Sequence, residues 1–281
     1  MSTPTGSIFD DRTCTLGEGP LWHPLREQFF WFDIIGQKLL TRTEAGVDEW
    51  QFDEHVSAAG WIDHDTLLIA SETSLSTLDL TTGETTYVCA LEADNPKTRS
   101  NDGRADPQGG FWIGTMGFDC EENYGAIYRY YRGELRKLYS DITVSNAICF
   151  SPDGRTAYYA DTPRETIYRV ALDDEGWPAG APQVHVAGAT HPDGAVIDAE
   201  GNMWNAIWGG HGITVYSPEG EKLRHYALPA AQTTCPAFGG PEGTTLYVTS
   251  AQINLADDGA QGKTYVIETG IKGQKEYQVI L

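Results

Sequence analysis

The stretch Ser151-Pro-Asp-Gly-Arg-Thr-Ala-Tyr-Tyr-Ala-Asp161 (SPDGRTAYYAD) decides the fold, because five other segments repeat its plan. Pro152-Asp153-Gly154 is turn chemistry, with Gly supplying the positive φ that a tight turn needs. A short β-prone run with bulky aromatic residues follows and ends on an acid. The same order of turn, bulky strand and small or acidic residue recurs at PLREQFFWFD (24–33), DHDTLLIA (63–70), DPQGGFWIGT (106–115), DAEGNMWNA (198–206) and GPEGTTLYVT (240–249). Alignment on the bulky residue gives Trp31, Leu68, Trp112, Tyr159, Trp204 and Tyr247, successively 37, 44, 47, 45 and 43 residues apart. Further strand–turn–strand patterns fill the gaps, at 74–88 around Thr82-Gly83, 125–139 around Arg132-Gly133, 166–176 and 213–228. Period-two runs such as Ile167-Tyr-Arg-Val170 favour strands, and no long segment carries a 3.6-residue period, so very little helix is expected. About four short strands per repeat of that length is a propeller blade. The reading is an all-β, six-bladed β-propeller with four-stranded antiparallel blades, one domain over 1–281. The segment before Leu16 is left over and is expected to supply the outer strand of the last blade, closing the ring. Two stacked β-sandwiches would not produce equivalent aromatic anchors at one period.

The chain of 281 residues is 40% apolar, with 40 Asp+Glu against 19 Lys+Arg and a formal net charge of −21. Such a surface repels phosphate, so neither a nucleic acid nor an anionic membrane is expected as partner. Most of the excess acid serves solubility; a few carboxylates are free to hold a cation. Five cysteines (Cys14, Cys89, Cys120, Cys149, Cys235) are widely spaced with no CxxC, so neither a zinc ribbon nor a redox pair is suggested, and Cys89 and Cys149 in apolar runs read as buried thiols. No basic-then-apolar leader and no apolar run of the ~18 residues that a membrane span requires is present, so a cytoplasmic setting is expected. A closed ring leaves few sticky edges, which favours a monomer.

In a propeller the inner strands and the loops leading into them converge on the axis, so ligands far apart in sequence can share one site. Glu18 lies between two glycines in Leu16-Gly-Glu-Gly-Pro20, Asn146 interrupts the apolar strand of 142–150, and Asp193 sits in His191-Pro-Asp-Gly194. They precede anchors one, four and five by 13, 13 and 11 residues, similar offsets that put them at one height near the axis. Two carboxylates and an amide oxygen are hard ligands, suited to Ca²⁺, Mg²⁺ or Mn²⁺, with Zn²⁺ or Fe²⁺ admissible, and three protein ligands leave open positions. Arg99 and Asn101, two apart on a strand, point the same way and together suit carbonyl and hydroxyl oxygens. Each has a plainer reading: a surface turn for Glu18, an amide satisfied by nearby backbone for Asn146, a turn former for Asp193, an exposed polar loop for 97–104. Asp102-Gly103 reads as turn chemistry. Of the histidines, His191 and His211 are the ones placed to line a pocket, while His23, His55, His64, His185 and His225 read as surface or core. No Ser-His-Asp set or GxSxG elbow is present.

The segments LGEGPLWHP, RSNDGRADPQGGFWIGTM, SNAICFSPDG, HPDGAVIDAEGNMWNAIWGG and CPAFGGPEGTTLYVTSA, in that order from Leu16 to Ala251, resemble the gluconolactonase family that includes regucalcin and bacterial sugar lactonases. The resemblance implies a six-bladed propeller with one divalent cation near the axis. It carries the family's metal ligands to Glu18, Asn146 and Asp193, and its substrate-contacting Arg and Asn to Arg99 and Asn101. A glutamate in the loop after GTM maps to Glu121, with Glu122 equally placed. Two departures stand out: the family's Asn-Gly is Asn146-Ala147 here, and the 257–266 loop lacks a paired Gly, which leaves the substrate open.

The function expected on this basis is divalent-metal-dependent hydrolysis of a sugar lactone to its aldonic acid, with Asp193 as metal ligand and general base. Rival readings are a metal-dependent aryl-ester or phosphotriester hydrolase on the same scaffold, a non-catalytic calcium- or carbohydrate-binding propeller, and a protein-interaction propeller.

Overall fold

Each repeat folds into one four-stranded antiparallel sheet, and six such sheets form the ring. The computed structural model describes residues 6–281. From axis to rim, blades 1 to 5 run through 17–51, 56–90, 98–142, 145–187 and 192–227, each a plain up-and-down meander. The sixth takes three strands from 232–268 and its outermost strand, Ser7–Asp10, from the N-terminal end, with Ser7 paired to Val266. The inner strands Gly17–His23, Val56–Trp61, Thr98–Ala105, Ser145–Phe150, Pro192–Ile197 and Gln232–Gly239 pack side by side in sequence order round the axis. The 3₁₀ turn Thr162–Arg164 is the one helical element among the described residues.

All six bulky anchors fall on the second strand of their blade, and Trp31, Leu68, Trp112 and Trp204 are fully buried between neighbouring sheets. Trp204 stacks on Tyr226 of its own blade and meets Phe238 of the next edge-on at 5.3 Å. Large aromatic groups at this position fill the wedge that widens from axis to rim, and truncating one to Ala removes about 3–5 kcal/mol.

The acids that end the repeats have a structural task. Asp33 accepts from Thr15 and Leu16 N–H at 3.1 and 3.0 Å, and Asp161 from Thr143 and Val144 N–H at 3.1 and 3.0 Å. Each therefore ties down the backbone just upstream of its own inner strand. Asp106 and Asp198 instead sit in the hairpin turns at the other end of the blades. Asp198 accepts from Glu200 and Asn202 N–H, both at 2.9 Å, and from the Trp204 indole at 2.9 Å.

The chain after the last strand crosses this turn end of the ring. Ala199 N–H donates to Lys272 O, Gln274 Nε2 to Phe150 O, Trp61 Nε1 to Glu276 O and Ile280 N–H to Gly109 O, so the tail spans blades 5, 4, 3 and 2. Arg104, on the inner strand of blade 3, pairs with Glu276 in a buried ion pair. That end of the channel is closed. Chemistry is left to the opposite end.

Of the cysteines, Cys14, Cys149 and Cys235 are buried; Cys89, expected inside, is half-buried because its strand, Thr85–Ala90, is the outer one of blade 2.

Candidate active site at the open end of the axis

Every inner strand breaks register near its start. The irregularities lie between Glu18 and Leu21, Val56 and Ala58, Ser100 and Gly103, Asn146 and Cys149, Pro192 and Ala195, and Thr233 and Pro236. A bulge turns the side chains beside it out of the pleat. Repeated six times at one height, it gathers Glu18, Ser57, Asn101, Asp102, Asn146, Asp193 and Thr234 at one end of the axis, all buried. The similar offsets read from the sequence are the spacing from bulge to anchor.

The bulge conformation also accounts for the small residue after Glu18, Asn146 and Asp193. Gly19 has φ +53, and a Cβ there would drive into Ser57 O and the Phe32 ring. Ala147, the departure at Asn146, holds the same left-handed conformation at φ +54. The backbone at Asn146 is thus unchanged in form, at the strain a non-glycine residue carries there, about 1 kcal/mol. Gly194 avoids Cys235, whose side chain occupies the space its Cβ would take.

Glu18 and Asp193, on blades 1 and 5, are buried near one another, and each charge acts on the other. Burial pushes the Glu18 carboxyl up to about 8, with the Asp102 charge adding to the rise and the Gly19 N–H opposing it. Burial likewise holds Asp193 well above the usual carboxylate range, reinforced by Glu18 and Asp102. One N–H each, from Gly19 at 3.0 Å and Gly194 at 3.1 Å, is their hydrogen-bond complement from the backbone. Neither forms an ion pair with a Lys, Arg or His among the described residues.

Asn146 is held by its nitrogen: Nδ2 donates to Thr162 Oγ1 at 2.8 Å, and Thr162 Oγ1 in turn donates to Pro192 O at 2.7 Å, next to Asp193. Its Oδ1 is left facing the axis, where Asn101 Nδ2 reaches it at 3.3 Å while donating to Ser145 O at 2.9 Å. Arg99 lies alongside, its guanidinium donating to Ser100 O at 2.8 Å and to Asn101 Oδ1 at 2.9 Å. Burial lowers the Arg99 pKa, partly offset by neighbouring acids that include Glu18, Glu72 and Asp193. Five of the six residues singled out in the sequence therefore meet at one place.

Glu121 lies in the loop after the second strand of blade 3, next to Cys120, whose charge acts on Arg99. Its Oε2 accepts from Asp119 N–H at 3.0 Å and its carboxylate folds against Gly117; Glu122 is exposed. His191 turns outward to within 4.0 Å of Glu165, and His211 is exposed in a turn. Asp102 corrects the sequence reading: it is not in a turn but buried in the blade 3 bulge, where its Oδ2 accepts from Ile148 N–H at 2.7 Å. Burial pushes it up to about 6, with Ile148 N–H and Arg104 opposing. Asp-Gly is the signature of a turn and equally of a bulge with close backbone approach, so composition does not separate the two.

Does this donor set suit a cation? Two buried carboxylates with one backbone N–H apiece and no ion-paired cation, the Arg99 charge acting on both without pairing, are incompletely compensated, and Asn146 Oδ1 accepts only the long bond from Asn101. Among the described residues no group of three His, Cys, Asp or Glu is placed to hold a metal. The set consists instead of two carboxylates and an amide oxygen, hard donors that fit a divalent cation.

A family profile described as the SMP-30/gluconolactonase/LRE-like region matches residues 16–252. The chain belongs to this family. Within the SMP-30/gluconolactonase/LRE-like proteins, one from Rhizobium meliloti, provisionally named a sugar lactone lactonase, is 40% identical over 97% of this chain and 96% of its own length. The 6-deoxy-6-sulfogluconolactonase of Pseudomonas putida is 32% identical over 93% and 94%. A crystal structure from Agrobacterium tumefaciens, described as the calcium-binding protein regucalcin, superposes with a TM-score of 0.95 at 38% identity and covers all of both chains. The matched region contains all five residues that converge on the axis.

Proposed function

We propose that this protein hydrolyses a sugar lactone to the aldonic acid, using one divalent cation held by Glu18, Asn146 and Asp193. The convergence of these three donors beside the Arg99–Asn101 pair carries the reading, and relatives named as sugar lactonases support it. When bound, the cation supplies Lewis acidity towards the lactone carbonyl and neutralises the paired carboxylates. Arg99 and Asn101 hold the carbonyl and ring hydroxyls in register with the attacking water. Asp193, kept ionised by the cation, takes a proton from that water as its oxygen bonds to the carbonyl carbon. The bond from that carbon to the ring oxygen then breaks, and Asp193 returns the proton to the leaving ring oxygen, giving an open-chain hydroxy acid. Thr162 keeps the Asn146 amide turned with its oxygen inward, and Arg104 with the tail closes the far end of the channel to bulk water.

The cation can be Ca²⁺, Mg²⁺, Mn²⁺, Zn²⁺ or Fe²⁺, since oxygen donors admit all of them. The test is lactone opening followed by pH-stat on a panel of aldonolactones, corrected for spontaneous hydrolysis, with chelator-stripped protein, protein restored with each ion, and Asp193→Ala. Cation-restored turnover that the variant lacks is the expected result. Cation binding without turnover of any lactone overturns it in favour of a calcium-binding propeller, the reading that the description of the Agrobacterium structure favours.

A further inference from the structure

Asn205 has no place in the chemistry above. It is the middle residue of the second strand of blade 5, Met203–Ile207, whose other four residues are apolar, and it is fully buried. A β-branched or aromatic residue would suit the position, whereas a buried amide has to find partners. Its Nδ2 finds two, donating to Asp193 O at 2.8 Å and to Gly194 O at 3.1 Å. Its Oδ1 is buried and finds none among the described residues. Both neighbours are carbonyl oxygens, which only accept, so the amide is fixed with its NH₂ towards them and its oxygen away.

The two carbonyls belong to the blade 5 bulge. Register passes from Pro192–Ile207 straight to Ala195–Asn205, so Asp193 and Gly194 stand outside the ladder and their carbonyl groups need a donor from elsewhere. Blade 6 meets the same need more simply. There Thr249 Oγ1 donates to Cys235 O at 3.1 Å and accepts from Cys235 N–H at 3.2 Å. Blade 5, which carries a proposed ligand, has both carbonyls held by one rigid amide.

The consequence for Asp193 follows from peptide planarity. The unit joining Asp193 to Gly194 has its C=O held by Asn205, while its N–H, at the other side of the same plane, holds the Asp193 carboxylate at 3.1 Å. Tethering the carbonyl therefore sets the direction of the N–H and of the carboxylate bonded to it. The preceding unit is tethered as well, because Pro192 O accepts from Thr162 Oγ1 at 2.7 Å. Asp193 thus sits between two peptide units that are each fixed by a side chain from another strand or turn.

We propose that Asn205 is a positioning residue: by holding the carbonyl groups of Asp193 and Gly194 it sets the direction of the Asp193 carboxylate as cation ligand and base. The inference rests on the cation reading of Glu18, Asn146 and Asp193. Asn205 touches neither cation nor substrate in this scheme and acts only through the 193–194 peptide unit.

The experiment compares wild type with Asn205→Val, which fits a strand but has no donor, and Asn205→Thr, of nearly the same shape with one hydroxyl. Cation affinity is measured by titration calorimetry on chelator-stripped protein, kcat and KM by pH-stat at saturating cation, and the melting temperature alongside. Assays are run well below each melting point, so that activity is counted per folded molecule. In Asn205→Val cation affinity is expected to fall about 10–100-fold. Its kcat is expected to fall about tenfold, with KM near that of the wild type because Arg99 and Asn101 are untouched. Asn205→Thr should recover part of both losses. A purely structural Asn205 predicts a lower melting temperature with cation affinity and kcat unchanged, and that result overturns the inference. Should Asn205→Val not fold, Asn205→Thr decides by the same criterion. A wild type that binds cation but opens no lactone defeats the lactonase reading while the affinity comparison still decides this one. A wild type that binds no divalent cation overturns both.

Discussion

Asp193 and Asp198 stand near opposite ends of one inner strand, Pro192–Ile197, each followed by a short residue pattern that reads as a turn. Both are buried, and there the likeness ends. Asp198 is surrounded by donors: two backbone N–H groups, the Asn202 amide and the Trp204 indole converge on its two oxygens. Asp193 has one N–H and is set against another carboxylate. One acid is fully satisfied by the fold; the other is satisfied only in part. A folded protein accommodates so poorly solvated a pair by holding it protonated or by binding a ligand that compensates it.

The most direct way to break the comparison is Asp193→Asn. Turnover is expected to fall by about 10³ or more and cation affinity with it, because ligand and base are lost together, read by pH-stat and a binding isotherm. Thr162→Val frees the Asn146 amide to rotate while leaving the ligands in place. Cation affinity should drop by about 10–100-fold by titration calorimetry, with the fold intact by circular dichroism. Asp198→Asn is the counterpart at the other end: a loss of about 1–3 kcal/mol in denaturant unfolding, with kcat per folded molecule retained.

The two kinds of acid also differ in the sign of their pH dependence. Turn aspartates such as Asp79 and Asp153, lowered by hydrogen bonds from their turns, give stability that is present above the ordinary carboxylate pKa and lost as the pH falls through their own lower values. Glu18 and Asp102, raised to about 8 and about 6, behave oppositely. Between the unfolded and folded pKa the native state holds more protons than the unfolded chain, so stability falls as the pH rises from about 4 to 8. Chelator-stripped protein should therefore melt at a lower temperature at pH 8 than at pH 6, and saturating cation should remove the difference. A melting temperature that does not change over this range in stripped protein would contradict the placement of these carboxyls. The smallest effect is expected from Ala147→Gly, which relieves the left-handed strain but loosens the unfolded chain, for a net change below about 1 kcal/mol in denaturant unfolding.

Much of the ring was legible in the sequence because its signals are local and repeated. A turn, a bulky second-strand residue and a terminal acid fix one blade, and each anchor does the same packing work in its own wedge. Glu18, Asn146 and Asp193 were legible for a related reason, since equal blades put equal offsets at equal heights. What escaped was whatever depends on a neighbour from another repeat. The role of Thr162 arises from Asn146 and Pro192, and Asp102 is defined by Ile148 across a blade boundary; neither leaves a trace in its own segment. Glu121, placed by its position after GTM, belongs to a loop whose shape no repeat dictates.

The sixth blade sets a condition on how the molecule is made. Its outer strand, residues 7–10, is synthesised early, and the strand that receives it, Thr264–Glu268, some 250 residues later. Until that second piece has formed, residues 7–10 are an unpaired strand and the stack of sheets keeps an open flank. Such edges invite pairing with other chains, and contacts so distant in sequence form slowly. The residues that follow that strand also cross the closed end of the channel, so the stretch that closes the ring leads directly into the one that plugs it. The ring is therefore most open to mispairing until residues 7–10 and 264–268 meet.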